Sequence, residues 1–200
     1  MQIPLRKFGV ILADPAWKYD LYSPRGEAKA PQAHYECMSL EEMKGMRDDV
    51  IFATGKDCVL VMWATFAMLD QALELLHSWG FKYCTGGAWQ KVTKNGKKSI
   101  GTGYVFRSSA EIFLIGTHGS PKIKNKSTRN TLITGDVPQD LKELCISVFS
   151  QVREHSRKPD EMYELIEGLF DGPYLELFAR NTRKNWESCG NETEKYGEVA

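Results

Sequence analysis

Phe8-Gly9-Val10-Ile11-Leu12-Ala13-Asp14-Pro15-Ala16-Trp17 is the stretch that decides how the rest of this chain is read. Val10, Ile11 and Leu12 form an unbroken aliphatic run of strand length, the pattern of a strand covered on both faces, as in a parallel sheet. The run stops at an acid, a proline and an indole. Ligands of open α/β sheets sit at the carboxyl ends of the strands, so Asp14 followed by a proline of fixed φ reads as a rigid active-site turn. The Asp14 carboxylate and the Pro15 carbonyl are two acceptors, enough for both hydrogens of an exocyclic amine, while the Trp17 face stacks on the ring that carries it. The competing reading is an ordinary turn after an edge strand with Trp17 in the core, and these residues alone do not decide between the two.

Composition narrows the class. With 200 residues, 42% hydrophobic and 26% charged, the chain is globular and long enough for one good core, so residues 1–200 are expected to form a single domain. Lys+Arg and Asp+Glu each number 26, so no global basic field advertises nucleic acid, and any such contact has to come from a local cluster. Cys37, Cys58, Cys84, Cys145 and Cys189 are odd in number, widely spaced and in no C-x-x-C pair. They read as reduced thiols of a cytoplasmic protein, with neither a metal site nor a disulfide framework. No apolar stretch approaches the ~18 residues of a membrane span, and the N-terminus lacks a signal-peptide core.

Working outward from the first strand, residues 19–32 carry Pro24, Gly26 and Pro31 and read as a loop ending at His34-Tyr35, where one of the pair touches the substrate base or both are surface decoration. Ser39 and Glu42 form a capping box that opens a helix through about Met46. Cys58–Thr65 is a second buried strand. Thr65 caps a helix with Leu69, Ala72, Leu73 and Leu76 at helical spacing, Gly80 stops it, and Phe81–Val92 is the next strand of a right-handed βαβ unit. Trp63, near the end of its strand, is core or ligand wall. The following loop, 91–103, carries Lys94, Lys97 and Lys98, and residues 118–130 hold Lys122, Lys124, Lys126 and Arg129 with no acid. Two such loops flanking the Glu111–Gly116 strand make a phosphate-contacting surface, although a charge run is more often only a solvated face.

In the last third, Asp140–Leu144 reads as a short helix and Cys145–Val152 as a strand. Met162, Leu165, Ile166 and Leu169 form a helical stripe with Pro159 at its N1 position. Lys158, just ahead of it, is a solvated cation or the partner of a ligand carboxylate. The strand Tyr174–Ala179 runs into Arg180 and Asn181, and after Trp186 comes Gly190-Asn191-Glu192. A carboxylate and amides after a buried strand are what a ribose and an adenine edge need.

These pieces, in this order, resemble the DPPW-type adenine-N6 methyltransferases, the family of the seventy-kilodalton catalytic subunit of the mRNA adenine methyltransferase and of small bacterial and phage DNA adenine methylases. The resemblance spans nearly the whole chain: Asp14–Trp17, His34-Tyr35 to Ser39, Leu60–Trp63, Ala88–Lys91, Gly103 to Glu111, His155–Glu161, and Glu176–Arg180 through Trp186 to Glu192. It implies an α/β fold, a Rossmann-like sheet dependent on S-adenosylmethionine, with circularly permuted motif order: the catalytic strand early and the cofactor strand late. That order accounts for the lack of an N-terminal glycine-rich loop. It also implies Asp14, Pro15, Ala16 and Trp17 as the catalytic turn, and Tyr35 with Trp17 on the substrate side; the charge pattern of the basic loop adds the lysines 94, 97 and 98 as expected nucleic-acid contacts. Asp14, Lys158, Arg180, Asn181, Asn191 and Glu192 are implied on the cofactor side. Ala16 departs from the family's second proline, which relaxes a restraint on Pro15 but spares both acceptors.

The chemistry so implied is methyl transfer to the N6 amine of adenine, a weak nucleophile because its lone pair is delocalised into the purine. Two accepted hydrogen bonds draw that nitrogen towards tetrahedral geometry, and positioning supplies much of the rate. DNA is favoured over RNA because little of the chain is left over for a separate recognition domain. An RNA adenine methyltransferase and a catalytically silent nucleic-acid-binding module remain the alternatives. A nicotinamide-dependent oxidoreductase is disfavoured, since no G-x-G-x-x-G follows a strand.

Overall fold

The structure is a computed structural model describing residues 2–18, 37–91, 100–101, 103, 105–128, 131–133 and 158–193. Tyr35, the lysines 94, 97 and 98, and the elements expected over 140–152 lie outside the described residues. The chain divides into two compact units. The first comprises Met1–Cys84, Leu114–Pro121 and Gly172–Ala200, and the second Thr85–Phe113 and Lys122–Asp171.

In the first unit, β1 (Phe8–Ala13) is buried at every position but Gly9. It has no free edge, because β2 (Thr54–Ala64) pairs with it in parallel on one side and β6 (Tyr174–Leu177) in parallel on the other. A strand in that place has water on neither edge nor face, which is why its sequence is a continuous apolar run rather than an alternating one. Ile11 is in register with both Leu60 and Leu175, and Ala13 with Met62 and Leu177. β6 in turn pairs in parallel with β7 (Trp186–Cys189), an edge strand that the sequence reading missed.

Two short helices precede β2. The helix α1 (Leu40–Gly45) begins at the expected capping box, with Glu42 accepting from the Ser39 amide at 2.7 Å and the Ser39 hydroxyl accepting from the Glu42 amide at 3.3 Å. The Ser39 hydroxyl also donates to the Glu42 carboxylate at 2.7 Å, and that bond, with the one from the Ser39 amide, holds the Glu42 carboxyl below its usual range. The helix α2 (Arg47–Ala53) follows directly. After β2, Thr65 leads a single 3-10 turn, Phe66–Met68, and its side chain makes no cap bond. The helix α3 (Leu69–Ser78) buries Ala72, Leu75 and Leu76. It closes with a Schellman pair, Phe81 N–H to the Leu76 carbonyl at 3.2 Å and Gly80 N–H to the His77 carbonyl at 3.0 Å. The Trp79 indole N–H donates to the Met43 carbonyl at 3.0 Å, tying α3 to α1.

The strands β3 (Lys82–Gln90) and β4 (Ala110–His118) run through both units. Their contacts step in opposite directions, Cys84 beside Thr117 in the first unit and the Lys91 amide on the Ser109 carbonyl in the second, so they form an antiparallel pair. In the first unit the sheet order is β3-β4-β2-β1-β6-β7, so β4 lies between the two strands of the expected βαβ unit. In the second unit β3 also pairs in parallel with β5 (Thr131–Ile133). The helix α4 (Glu161–Leu169) buries Met162, Tyr163 and Ile166. It starts later than expected: Asp160 is the N-cap and Pro159 precedes it. Met162 donates to the Pro159 carbonyl at 3.1 Å and Tyr163 to that of Asp160 at 3.0 Å, a tight three-residue entry that uses the proline as an acceptor. The Lys124 amine closes the other end, on the Glu167 carbonyl at 2.6 Å and Asp171 at 3.2 Å.

The link from β6 to β7 is the tightest place in the first unit. Residues 178–185 join two parallel strands that ordinarily need a crossover of about a dozen residues or more. Phe178 (φ 64°) and Asn185 (φ 69°) accept left-handed backbone to make the turn, and Ala179 N–H bonds the Cys189 carbonyl at 3.0 Å. Gly190 lies against that same backbone: a Cβ there would be 2.1 Å from the Ala179 oxygen and 2.7 Å from its nitrogen. Neither atom can give way without breaking the β6–β7 register. Gly190→Ala is therefore expected to cost about 1–3 kcal/mol, as overpacking does, read as a fall of roughly 5 °C in thermal midpoint; a midpoint unchanged within experimental error would contradict this packing.

Candidate active site at the carboxyl edge of the sheet

Asp14 follows β1 at its carboxyl end, and its amide donates to the Leu177 carbonyl at 3.4 Å, one residue beyond the regular β1–β6 pairing. The carboxylate is thus aimed by two strands rather than by a loose loop. Pro15 is buried, and its carbonyl accepts from the Trp17 amide at 2.8 Å. One of its two lone pairs is spent inside the turn, which leaves one for an outside donor. The Ala16 carbonyl accepts from the Met38 amide at 2.9 Å, so the chain returns beside the turn at Trp17–Met38.

The Trp17 indole is buried and donates to the Trp63 carbonyl at 3.3 Å. Trp63 is itself fully buried in β2, so its position near the strand end serves packing, and its carbonyl fixes Trp17. Here the turn is braced by the second strand. At 5% exposed the indole presents little open face for the stacking role expected of it.

On the other side of β1, Arg180 and Asn181 follow β6, and Asn191 and Glu192 follow β7. Parallel pairing puts both carboxyl ends on the edge that carries Asp14. The Arg180 Nε lies 3.6 Å from a Glu192 carboxylate oxygen. Cys37 lies near Arg180 and Lys18; its thiol is pushed up by burial, more than those two cations pull it down. Asn181 is 7% exposed, and its side-chain Nδ2 is buried with no partner. A buried donor left so costs about 1–3 kcal/mol, so its retention marks a place for an acceptor from outside the chain. Asn191 is exposed.

In the second unit Lys158 does not face solvent. Its amine lies 3.4 Å from Glu111, which also binds the Lys91 amine, and Lys91 sits 4.7 Å from the centre of the Trp89 ring. Glu111 entered the sequence reading as the start of a strand and the end of one family-like piece, with no role assigned; the available signal was one acid at the head of the apolar run Ile112–Leu114. Burial pushes the Glu111 carboxyl up, but Lys158 and Lys91 together pull it further down, so it stays below its usual range. Glu176, buried in β6 beside Leu12, is a second acid that apolar patterning did not explain. Among the described residues, no group of His, Cys, Asp and Glu is placed to hold a metal ion, and no helix is long and apolar enough to cross a membrane.

An open sheet with its most buried strands central, an acid-proline turn on one of them and a cationic, amide-bearing edge beside it defines a Rossmann-like methyltransferase fold. Its strand pairing is that of the permuted order, with the chain's first strand lying between β2 and the late β6. Residues 8–192 match the MT-A70 family, and the chain belongs to it. It is 30% identical over 197 residues to the N(6)-adenosine-methyltransferase MT-A70-like protein of Arabidopsis thaliana (94% of this chain, 24% of the relative). It is 27% identical to the human N(6)-adenosine-methyltransferase catalytic subunit METTL3 (94% of this chain, 28% of the relative). To the type II methyltransferase M.MunI of a Mycoplasma species it is 27% identical over 210 residues, covering 96% of this chain and 80% of that protein. The chain thus spans about a quarter of the plant and human relatives and most of the bacterial one.

The lysine pair around Glu111 carries a pH signature. The folded chain holds a proton on Glu111 less tightly than the unfolded chain does, so its contribution to stability is complete above the ordinary glutamate range near ~4.3 and is lost as pH falls through and below it. Glu111→Gln is expected to lower stability at neutral pH by about 1–3 kcal/mol or more, since two largely buried ammonium groups lose their counter-ion. It is also expected to flatten the acid limb of a thermal-midpoint profile. An acid limb parallel to the parent's would show that Glu111 does not carry this coupling.

Proposed function

We propose that this chain transfers the methyl group of S-adenosylmethionine to the N6 amine of adenine in DNA. The observation that carries the reading is Asp14, held at the end of a central strand by the β1–β6 pairing, with the remaining acceptor site of the Pro15 carbonyl one residue away. Bound S-adenosylmethionine supplies an electrophilic methyl group on a sulfonium. The chain's own residues do the rest. The Asp14 carboxylate and the Pro15 carbonyl accept hydrogen bonds from the two amine N–H groups, which turns the nitrogen lone pair out of the purine, and the carboxylate stabilises positive charge as it grows on nitrogen and faces the one proton that leaves once the nitrogen–methyl bond has replaced the methyl–sulfur bond. Trp17, braced on the Trp63 carbonyl, keeps the turn from relaxing where Ala16 stands in place of a second proline.

The orphaned Asn181 donor supports a cofactor at this edge, because a nucleoside offers the acceptor that the folded chain does not. Glu192 accepts ribose hydroxyls and Arg180 orients it. Asn191 adds an amide at the rim, and Lys158 is the cation for the amino-acid end of the cofactor, released for that role in part from Glu111. Tyr35 and the lysines 94, 97 and 98 belong to the nucleic-acid side. An adenine within a duplex must leave the stack before it reaches Asp14, at a cost of a few kcal/mol.

DNA is favoured by the match over most of a type II methyltransferase. RNA is the second reading, supported by relatives named for adenosine. Asp14→Ala is expected to lower methyl transfer about 100-fold or more, with S-adenosylmethionine affinity held within about tenfold. Near-normal turnover would contradict the assignment of the amine to Asp14. Loss of turnover matched by loss of cofactor affinity would place Asp14 on the cofactor side alone.

A further inference from the structure

Phe66 opens the single turn that follows β2, and it is 67% exposed. Its place is fixed on both sides. Thr65 before it is still extended (φ −113°, ψ 159°), and two residues further on the Met68 amide donates to the Thr65 carbonyl at 3.0 Å while the Met68 side chain is buried. A single exposed phenylalanine ordinarily needs no explanation, but the position of this one does. β1 and β2 run in parallel with Ala13 beside Met62, which sets Asp14 level with Trp63, and Phe66 lies three residues beyond Trp63. At ~3.3 Å per residue along a strand and ~4.8 Å between strands, the backbones of Asp14 and Phe66 are about 11 Å apart. An aspartate side chain, one hydrogen bond and a purine fill that span.

The direction of methyl transfer says which side of Asp14 the base takes. Displacement at a methyl carbon brings the nitrogen in opposite the departing sulfur, with the three atoms in line. Arg180, Asn181, Asn191 and Glu192, assigned above to the cofactor, follow β6 and β7 on one flank of β1, so the base belongs over the other flank, which is β2. Trp17 does not offer its face there, since it is buried with its indole N–H on the Trp63 carbonyl. Among the described residues at the carboxyl ends of β1, β2, β6 and β7, Phe66 is the aromatic most open to solvent. We propose that Phe66 is the ring on which the target adenine stacks while its amine is held at Asp14 and Pro15. A base taken out of its stack loses its neighbours' faces, and an aromatic side chain at the site replaces one of them. The proposal rests on the methyl-transfer reading above and adds to it the surface that holds the base.

Fragmented genomic DNA free of methyladenine, with radiolabelled S-adenosylmethionine, is a substrate that needs no knowledge of a target sequence. With the full chain, Phe66→Ala is expected to lower kcat/KM for the DNA about tenfold or more. S-adenosylmethionine affinity, measured by calorimetry, is expected to stay within about twofold of the parent's, and the thermal midpoint to stay unchanged because the side chain is exposed. Phe66→Trp is expected to keep kcat/KM near the parent's, since the larger ring still stacks. Phe66→Leu, apolar but without a π face, is expected to fall with Phe66→Ala. Full activity in Phe66→Ala or in Phe66→Leu would overturn the stacking role while leaving the Asp14 reading intact. A loss of cofactor affinity in step with turnover would put Phe66 on the cofactor side and overturn the proposal as well. A parent that transfers no methyl group to the DNA would overturn both readings.

Discussion

Backbone pairing between β1 and β6 is the constraint on which the rest depends. It joins the first strand of the chain to a strand more than 150 residues later, in parallel and in register from Val10–Tyr174 to Ala13–Leu177. Everything chemical in the first unit hangs from its carboxyl end. Asp14 extends the pairing by one more bond, Phe178 breaks it with a left-handed residue, and the residues freed by that break are Arg180 and Asn181. A non-glycine residue in that region costs on the order of 1 kcal/mol, and the strain sits immediately before the residues assigned to the cofactor. Without the pairing, the acid-proline turn and the Arg–Asn–Glu edge would be two unrelated loops.

The two units handle charge in different ways. Around Asp14 the charges are spread along the strand ends, with Arg180 3.6 Å from Glu192, and a buried amide donor stands at Asn181. Around Glu111 three charges are gathered at low exposure, the Glu111 side chain being only 17% exposed, and two cations share the one carboxylate. Burial alone would push Glu111 towards the neutral acid, and two ammonium groups are needed to reverse that.

Much of this was legible in the sequence where a single rule governs. β1, β2 and β4 announced themselves as apolar runs because strands buried on both faces leave no polar alternation; the Ser39–Glu42 box and the Gly80 stop were visible because capping is local. β7 was not legible. Trp186-Glu-Ser-Cys189 is short, half polar and on an edge, and it pairs with β6 through a link too tight for the usual parallel crossover. The start of α4 was misplaced by the same kind of local freedom, since Pro159 satisfies either side of a helix boundary. Within the site, Asp14, Pro15, Arg180 and Asn181 were named from motif order and fall on one edge of one sheet. Glu111 escaped because its significance lies in partners 20 and 47 positions away, a relation that no window of sequence contains.

The central claim is that the carboxyl edge shared by β1, β6 and β7 binds S-adenosylmethionine. Calorimetric titration of S-adenosylmethionine into the full chain and into a variant carrying Asn181→Ala with Glu192→Ala, both checked for folding by circular dichroism, tests it most directly. The account predicts one site on the parent, no binding of NAD, and at least a tenfold weaker S-adenosylmethionine affinity in the variant, from two lost hydrogen bonds at about 1 kcal/mol each. A folded variant that binds S-adenosylmethionine as tightly as the parent would contradict it.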